Sequence, residues 1–188
     1  MEIRLASKLQ YDSIVDGEGF RAVLWTQGCT HNCKGCHNPQ TQALDQGYIS
    51  DTHSLIEELN TELKYQDGIT LSGGEPFLQI EAVLEIARFV KSLDKNVWAY
   101  TGFTFEHLLK ISKKNTTMKE LLNNIDVLVD GKFEIEKFSL DLYYRGSSNQ
   151  RIINVKASIA KNKIVLIEKY MKNKTTNNLI AKKEYIFV

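Results

Sequence analysis

Three cysteines and two prolines are all that 188 residues contain of either type. So small and odd a cysteine count excludes a disulfide-stapled scaffold, which needs paired cysteines at higher density. With so little proline, no Gly/Ser-rich stretch and no internal repeat, there is nowhere to place a flexible linker, and one folded unit is the natural count. A charge surplus is missing too: 24 Lys and Arg face 23 Asp and Glu, for a formal net charge of +1. Bulk charge therefore argues for no nucleic-acid partner and no membrane partner. No apolar run approaches the roughly 18 residues that a membrane helix needs. The opening MEIRLASKLQ lacks the basic flank and apolar stretch of a signal peptide. The expectation is a soluble, cytoplasmic protein, and in that compartment clustered cysteines bind metal or do redox work.

The charge is unevenly placed. Residues 156–188 carry eight Lys against two Glu, so the rest of the chain is net acidic. We therefore separate a body, residues 1–155, from a C-terminal basic extension, residues 156–188. The extension reads as a solvated run or as a surface for an acidic partner.

Strand and helix patterns alternate along the body. RAVLWTQG (21–28), GITLSGG (68–74), NVWAYTGF (96–103) and DVLVDGKF (126–133) are apolar, β-rich and stopped by glycine. SDTHSLIEELNTEL (50–63) has apolar residues at helical spacing, with Ser50 or Asp51 able to cap it. Residues 78–93, 105–111 and 118–125 also read as helices. The strands are continuously apolar, as parallel strands covered on both faces must be. The class is α/β, with right-handed crossovers. A complete eight-fold barrel needs about 250 residues, so an open, partial β/α barrel is expected. RIINVKA (151–157) and KIVLIEKYM (163–171) fit strand or helix equally. KNKTTNN (172–178) reads as loop and KEYIFV (183–188) as a short edge strand.

All three cysteines lie in QGCTHNCKGCHNPQ (27–40), spaced C-x3-C-x2-C. Two chemistries suit that spacing. A zinc site closes a tetrahedron with four protein ligands, and His31 or His37 could complete one with Cys29, Cys33 and Cys36. Three thiolates on a tight loop can also hold three irons of a 4Fe–4S cluster, leaving the fourth iron open. An open metal position permits catalysis.

Cys29, Cys33 and Cys36, placed directly after the first long strand, resemble the signature of the radical S-adenosylmethionine enzymes. That resemblance implies a 4Fe–4S cluster on the three cysteines, with S-adenosylmethionine on the open iron. LSGGEP (71–76) resembles the family's GGE element, which implies cofactor contacts at Gly73, Gly74 and Glu75. The resemblance also implies cofactor contacts at Gly35 and Cys36 of the cluster loop, and His37 stands where the family sets a ring against adenine. VDGEGFR (15–21) is similar to the DGPGxR stretch of glycyl-radical activating enzymes, with Glu18 in place of the usual proline. A GEG stretch also occurs in the radical enzymes that form deazaguanine rings. WAYTGF (98–103), VLVDGKFE (127–134) and YYRGSSNQR (143–151), in this order, resemble the activating components of anaerobic ribonucleoside-triphosphate reductases. By that likeness Thr101, Asp130 and Lys132 also meet the cofactor.

The resemblance implies an oxidoreductase that cleaves S-adenosylmethionine reductively and leaves a glycyl radical on the reductase's large subunit. It implies an electron donor such as reduced flavodoxin, and a homodimer is compatible with it. No acid–base constellation is apparent, which suits hydrogen-atom abstraction. Two alternatives stay open: a radical enzyme acting on a small molecule, as in deazaguanine-type ring contraction, and a non-enzymatic zinc or iron–sulfur module.

Overall fold

The computed structural model describes residues 1–174. In chain order the strands and helices are β1 (Glu2–Leu5), β2 (Gln10–Ser13), β3 (Arg21–Thr26), β4 (Tyr48–Asp51), α1 (Thr52–Glu62), β5 (Gly68–Gly73), α2 (Ile80–Ser92) and β6 (Asn96–Tyr100). Then follow α3 (Phe105–Ser112), α4 (Thr116–Asn124), β7 (Val127–Asp130), β8 (Arg151–Asn154), α5 (Val155–Lys161) and α6 (Glu168–Met171).

All eight strands join one mixed sheet of order β4-β1-β3-β5-β6-β7-β8, with β2 pairing β3 beside β1. The sheet is open. Its centre, β3-β5-β6-β7, is parallel, with Thr26 opposite Gly73 and Tyr100 opposite Val129. The margins are antiparallel: β1 and β2 on β3, β4 on β1, and β8 on β7. The α/β class stands as expected, and the parallel strands fall where the apolar runs put them. The antiparallel margins are a finding beyond the sequence reading.

Alternate side chains serve two cores. Leu24, Leu71, Val97, Ala99 and Leu128 face the helical layer, where α2 contributes Val83, Ile86, Ala87 and Val90. Trp98, Val129 and Ile152 face the other way and pack with Tyr170 of α6. Two-sided burial explains why these strands are apolar without alternation. Asp51 caps α1, accepting hydrogen bonds from the backbone N–H of His53 and Ser54. RIINVKA resolves into β8 followed by α5, with the Asn154 side chain accepting from Ala157 N at the junction. KIVLIEKYM forms a bridge from Leu166 to Ile153 and then α6. The edge strand expected at 183–188 lies outside the described residues, as does most of the loop expected at 172–178.

Because β3, β5, β6 and β7 run the same way, the segments that leave them emerge along one edge. The cysteine loop follows β3, the Gly-Gly-Glu turn follows β5, Thr101 and Gly102 follow β6, and Gly131 and Lys132 follow β7. In parallel sheets this edge is where ligands bind.

Candidate functional site

The cysteine loop is tied down before its first cysteine. Gln27 N donates to Arg4 O, Gly28 N to Thr41 O and Cys29 N to Gln42 O. The Gln27 side-chain amide spans the returning limb, donating to Gln40 O and Ala43 O. Between the cysteines, Asn32 (φ 54°) and Gly35 (φ 71°) take left-handed conformations that curl the chain tightly. The loop also hangs on β5: Gly74 N donates to Thr26 O at 2.7 Å and Glu75 N to Gly28 O at 2.8 Å. Gly74 has no room for a side chain, since a Cβ would overlap Gly28 O and lie 2.7 Å from Thr41 O.

Cys29, Cys33 and Cys36 are free and half-buried. All three line one cavity with His37, Gly73, Gly74 and Thr101. Its volume, ≈ 190 Å³, far exceeds the roughly 10–15 Å³ that holds one water by the same measure. Burial pushes the Cys29 thiol above its ordinary pKa, and the carboxylate of Glu75 adds to the rise. A metal that binds here must therefore displace a proton. Among the described residues no three His, Cys, Asp or Glu side chains converge on the point a single ion would occupy. The thiols instead surround a shared space, and a donor set of three thiols around a cavity fits an iron–sulfur cluster.

Glu75 lies behind the cavity wall, fully buried. Its Oε1 accepts from Phe77 N at 3.1 Å. Its Oε2 accepts from Thr101 Oγ1 and Gly102 N, each at 2.9 Å, and lies 2.6 Å from His31 Nε2. His31 also lines the cavity, with its Nε2 engaged by Glu75. The exposed ring of His37 packs against Phe133, centroids 4.5 Å apart, and against Phe138 at 5.7 Å.

Asp130 and Lys132 stand apart from these residues. The buried Asp130 carboxylate accepts from Arg151 Nε at 2.9 Å and Phe105 N at 2.7 Å. Lys132 is exposed and reaches the His31 carbonyl at 3.5 Å. Both border a neighbouring groove with Glu106 and Arg151. Gly35 contributes curvature to the loop and backs onto Ile135.

Several lining residues were not singled out in the sequence. Asp16, Tyr100, Phe133, Gly146 and Gln150 all reach the cavity. All five fall inside the quoted stretches, which are the available signal. Gln150 shows why RGSSNQR is polar and unperiodic. Its Oε1 accepts from Gly146 N and Ser147 N while its Nε2 donates to Gly131 O, pinning this loop to the exit of β7.

The family model described as "4Fe-4S single cluster domain" matches residues 15–153, from the DGEGFR stretch to β8. The anaerobic ribonucleoside-triphosphate reductase-activating protein of Haemophilus influenzae is 39% identical over 154 residues, covering 77% of this chain and 95% of that protein. The chain belongs to this family. The activating protein of Pasteurella multocida is 39% identical over 148 residues, and that of Enterobacteria phage T4 is 34% identical over 155, or 93% of its length. In this activating-protein family member, α6 lies beyond the stretch matched by the family model.

Proposed function

We propose that this chain activates an anaerobic ribonucleoside-triphosphate reductase by placing a glycyl radical on the large subunit. The work is done with a 4Fe–4S cluster held by Cys29, Cys33 and Cys36, and with S-adenosylmethionine. The observation that carries the proposal is the gathering of three free thiols and the Gly73–Gly74 turn around one open cavity at the strand exits. Once bound, cluster and cofactor supply a one-electron cleavage to methionine and a 5′-deoxyadenosyl radical, which takes a hydrogen atom from a glycine.

The chain's own residues bind and orient. Cys29, Cys33 and Cys36 would hold the cluster, and the cofactor would bind beside it through its amino and carboxylate groups. Gly73 and Gly74 keep the wall free of side chains, and strand-end carbonyls accept from an ammonium. His37, steadied by Phe133, offers a ring face to adenine. Thr101 donates to Glu75 and accepts from Phe103 N, so it stiffens the wall at the exit of β6. Asp130 and Lys132 enter as supports for the wall, through Arg151 and through the cysteine loop. The open sheet, which we read as a partial barrel, gives a peptide loop of the partner access. The electron comes from an external donor of the reduced-flavodoxin type, in the cytoplasm.

Anaerobic reconstitution tests the proposal. About four irons and no zinc should bind per chain, as one full cluster requires. Mixing with the reductase, S-adenosylmethionine and a reductant should then produce a glycyl signal by electron paramagnetic resonance. Cys33→Ala should lose both the cluster and the signal. Turnover of a pterin-type small molecule with no glycyl signal on the reductase would replace this reading with the ring-contraction one.

A further inference from the structure

We propose that His31 is a positioning residue: through Glu75 it locks the cysteine loop against the exits of β5 and β6 and so sets the direction in which the open cluster corner faces. The inference rests on the function proposed above and extends it to a residue of the cavity wall whose Nε2 is engaged by Glu75.

Three observations carry it. First, His31 sits midway between Cys29 and Cys33, yet its side chain is only 7% exposed and its partner Glu75 is 0% exposed. The ring faces inward, away from its place in an otherwise polar loop. Second, one carboxylate oxygen collects donors from two separate elements: His31 Nε2 from the cysteine loop, and Thr101 Oγ1 and Gly102 N from the exit of β6. The other oxygen takes Phe77 N from the exit of β5. A buried carboxylate is costly unless its donors are all in place, so the network favours a single arrangement of these elements. Third, the ring is confined by shape. A Cβ on Gly102 would overlap it, and Phe103 meets it edge-on with centroids 4.5 Å apart. Phe103 N in turn donates to Thr101 Oγ1 at 3.1 Å. With Nε2 engaged by Glu75, that nitrogen is not presented to a metal. The histidine that could complete a zinc site by its spacing instead spends its Nε2 on holding the loop to Glu75.

The test uses the full chain, reconstituted anaerobically without the reductase. Iron content, the spectrum of the reduced cluster with and without S-adenosylmethionine, and the cofactor's dissociation constant are measured. His31→Gln keeps a donor near Nε2 and should stay within about three-fold of wild type. His31→Leu should still load iron, but should bind the cofactor at least about ten-fold more weakly, the scale seen when groups that orient metal ligands are removed. Its spectrum should respond less to the cofactor. Gly102→Ala, which keeps His31 but displaces its ring, should behave like His31→Leu. Glu75→Gln should cost less when added to His31→Leu than when made in wild type, because the His31 contact is then already gone.

A wild-type dissociation constant and spectral response in His31→Leu would overturn the proposal. So would loss of iron as complete as in Cys33→Ala without rescue by glutamine, which would make His31 a ligand. If His31→Leu does not fold, the outcome is read from the other two variants: weak cofactor binding by folded His31→Gln, or native binding by Gly102→Ala, would each overturn it. If wild type shows no response to S-adenosylmethionine, the functional reading falls on its own. The positioning role is then decided by the cluster's reduction potential, which should differ from wild type in His31→Leu and return towards it in His31→Gln; an unchanged potential would overturn it.

Discussion

Arg21 is a fully buried guanidinium beneath the site. It donates to Thr70 Oγ1 at 2.6 Å, Asn96 Oδ1 at 2.7 Å and Glu18 O at 3.1 Å, with its Cζ 5.4 Å from the Trp98 ring centroid. Burial pushes its pKa down to about 10, so it stays charged at neutral pH. This explains the glycine before it: a Cβ at Gly17, whose φ is +136°, would come within 2.8 Å of both Arg21 and Trp98. The stretch that could pass for a flexible turn is a clamp. Arg21→Met strands several buried acceptors and should cost about 3 kcal/mol, seen as a lower urea midpoint. Gly74→Ala acts at the same scale on the loop instead of the core. Its added methyl group must push the cysteine loop off β5, so iron uptake on reconstitution should fall well below wild type while the chain still folds.

At the scale of elements, caps and packed faces carry the energy. The Asn115 side chain accepts from Met118 N at 2.8 Å and starts α4, whose Met118, Leu121 and Leu122 are buried. Asn115→Ala should lower stability by about 1 kcal/mol, measurable as a fall in Tm. The same scale shows what was readable in advance. The four parallel strands were legible because two-sided burial leaves an uninterrupted apolar record. QYDS of β2 and YISD of β4 left none, since short, half-exposed marginal strands look like loop. That Cys29, Cys33, Cys36, Gly74 and His37 meet around one cavity was legible because each sits in a local pattern whose spacing is itself the signal. The state of Asp130 was not: its partner Arg151 is 21 positions away and Phe105 is 25 away, and no local pattern records such pairings. Likewise His31 read as a possible ligand because Glu75, 44 positions on, is invisible from within the loop.

For the whole molecule, Asp126 is a junction at the opposite end of the sheet. It accepts from Val97 N and pairs with Lys91 and Lys156, each at 2.8 Å, joining β6, α2 and α5. Burial would raise its carboxyl, but the hydrogen bonds from Lys156, Lys91 and Val97 outweigh this and hold it below the ordinary range. A lowered folded-state value means the stabilisation is complete above the unfolded pKa, about 4, and is lost as pH falls through the folded one. Thermal scans should therefore show Asp126→Asn less stable than wild type at neutral pH. The gap should narrow on acidification below about pH 4, because only wild type loses this contribution. The longest side-chain tie among the described residues is that of Lys169 in α6, which donates to Glu18 across 151 positions at 2.7 Å. A chain emerging from the ribosome cannot form that tie until residue 169 has emerged. Whatever this tie adds to the Glu18 loop is therefore acquired after the Arg21 contacts to the same loop, whose partners all lie within the first 96 residues.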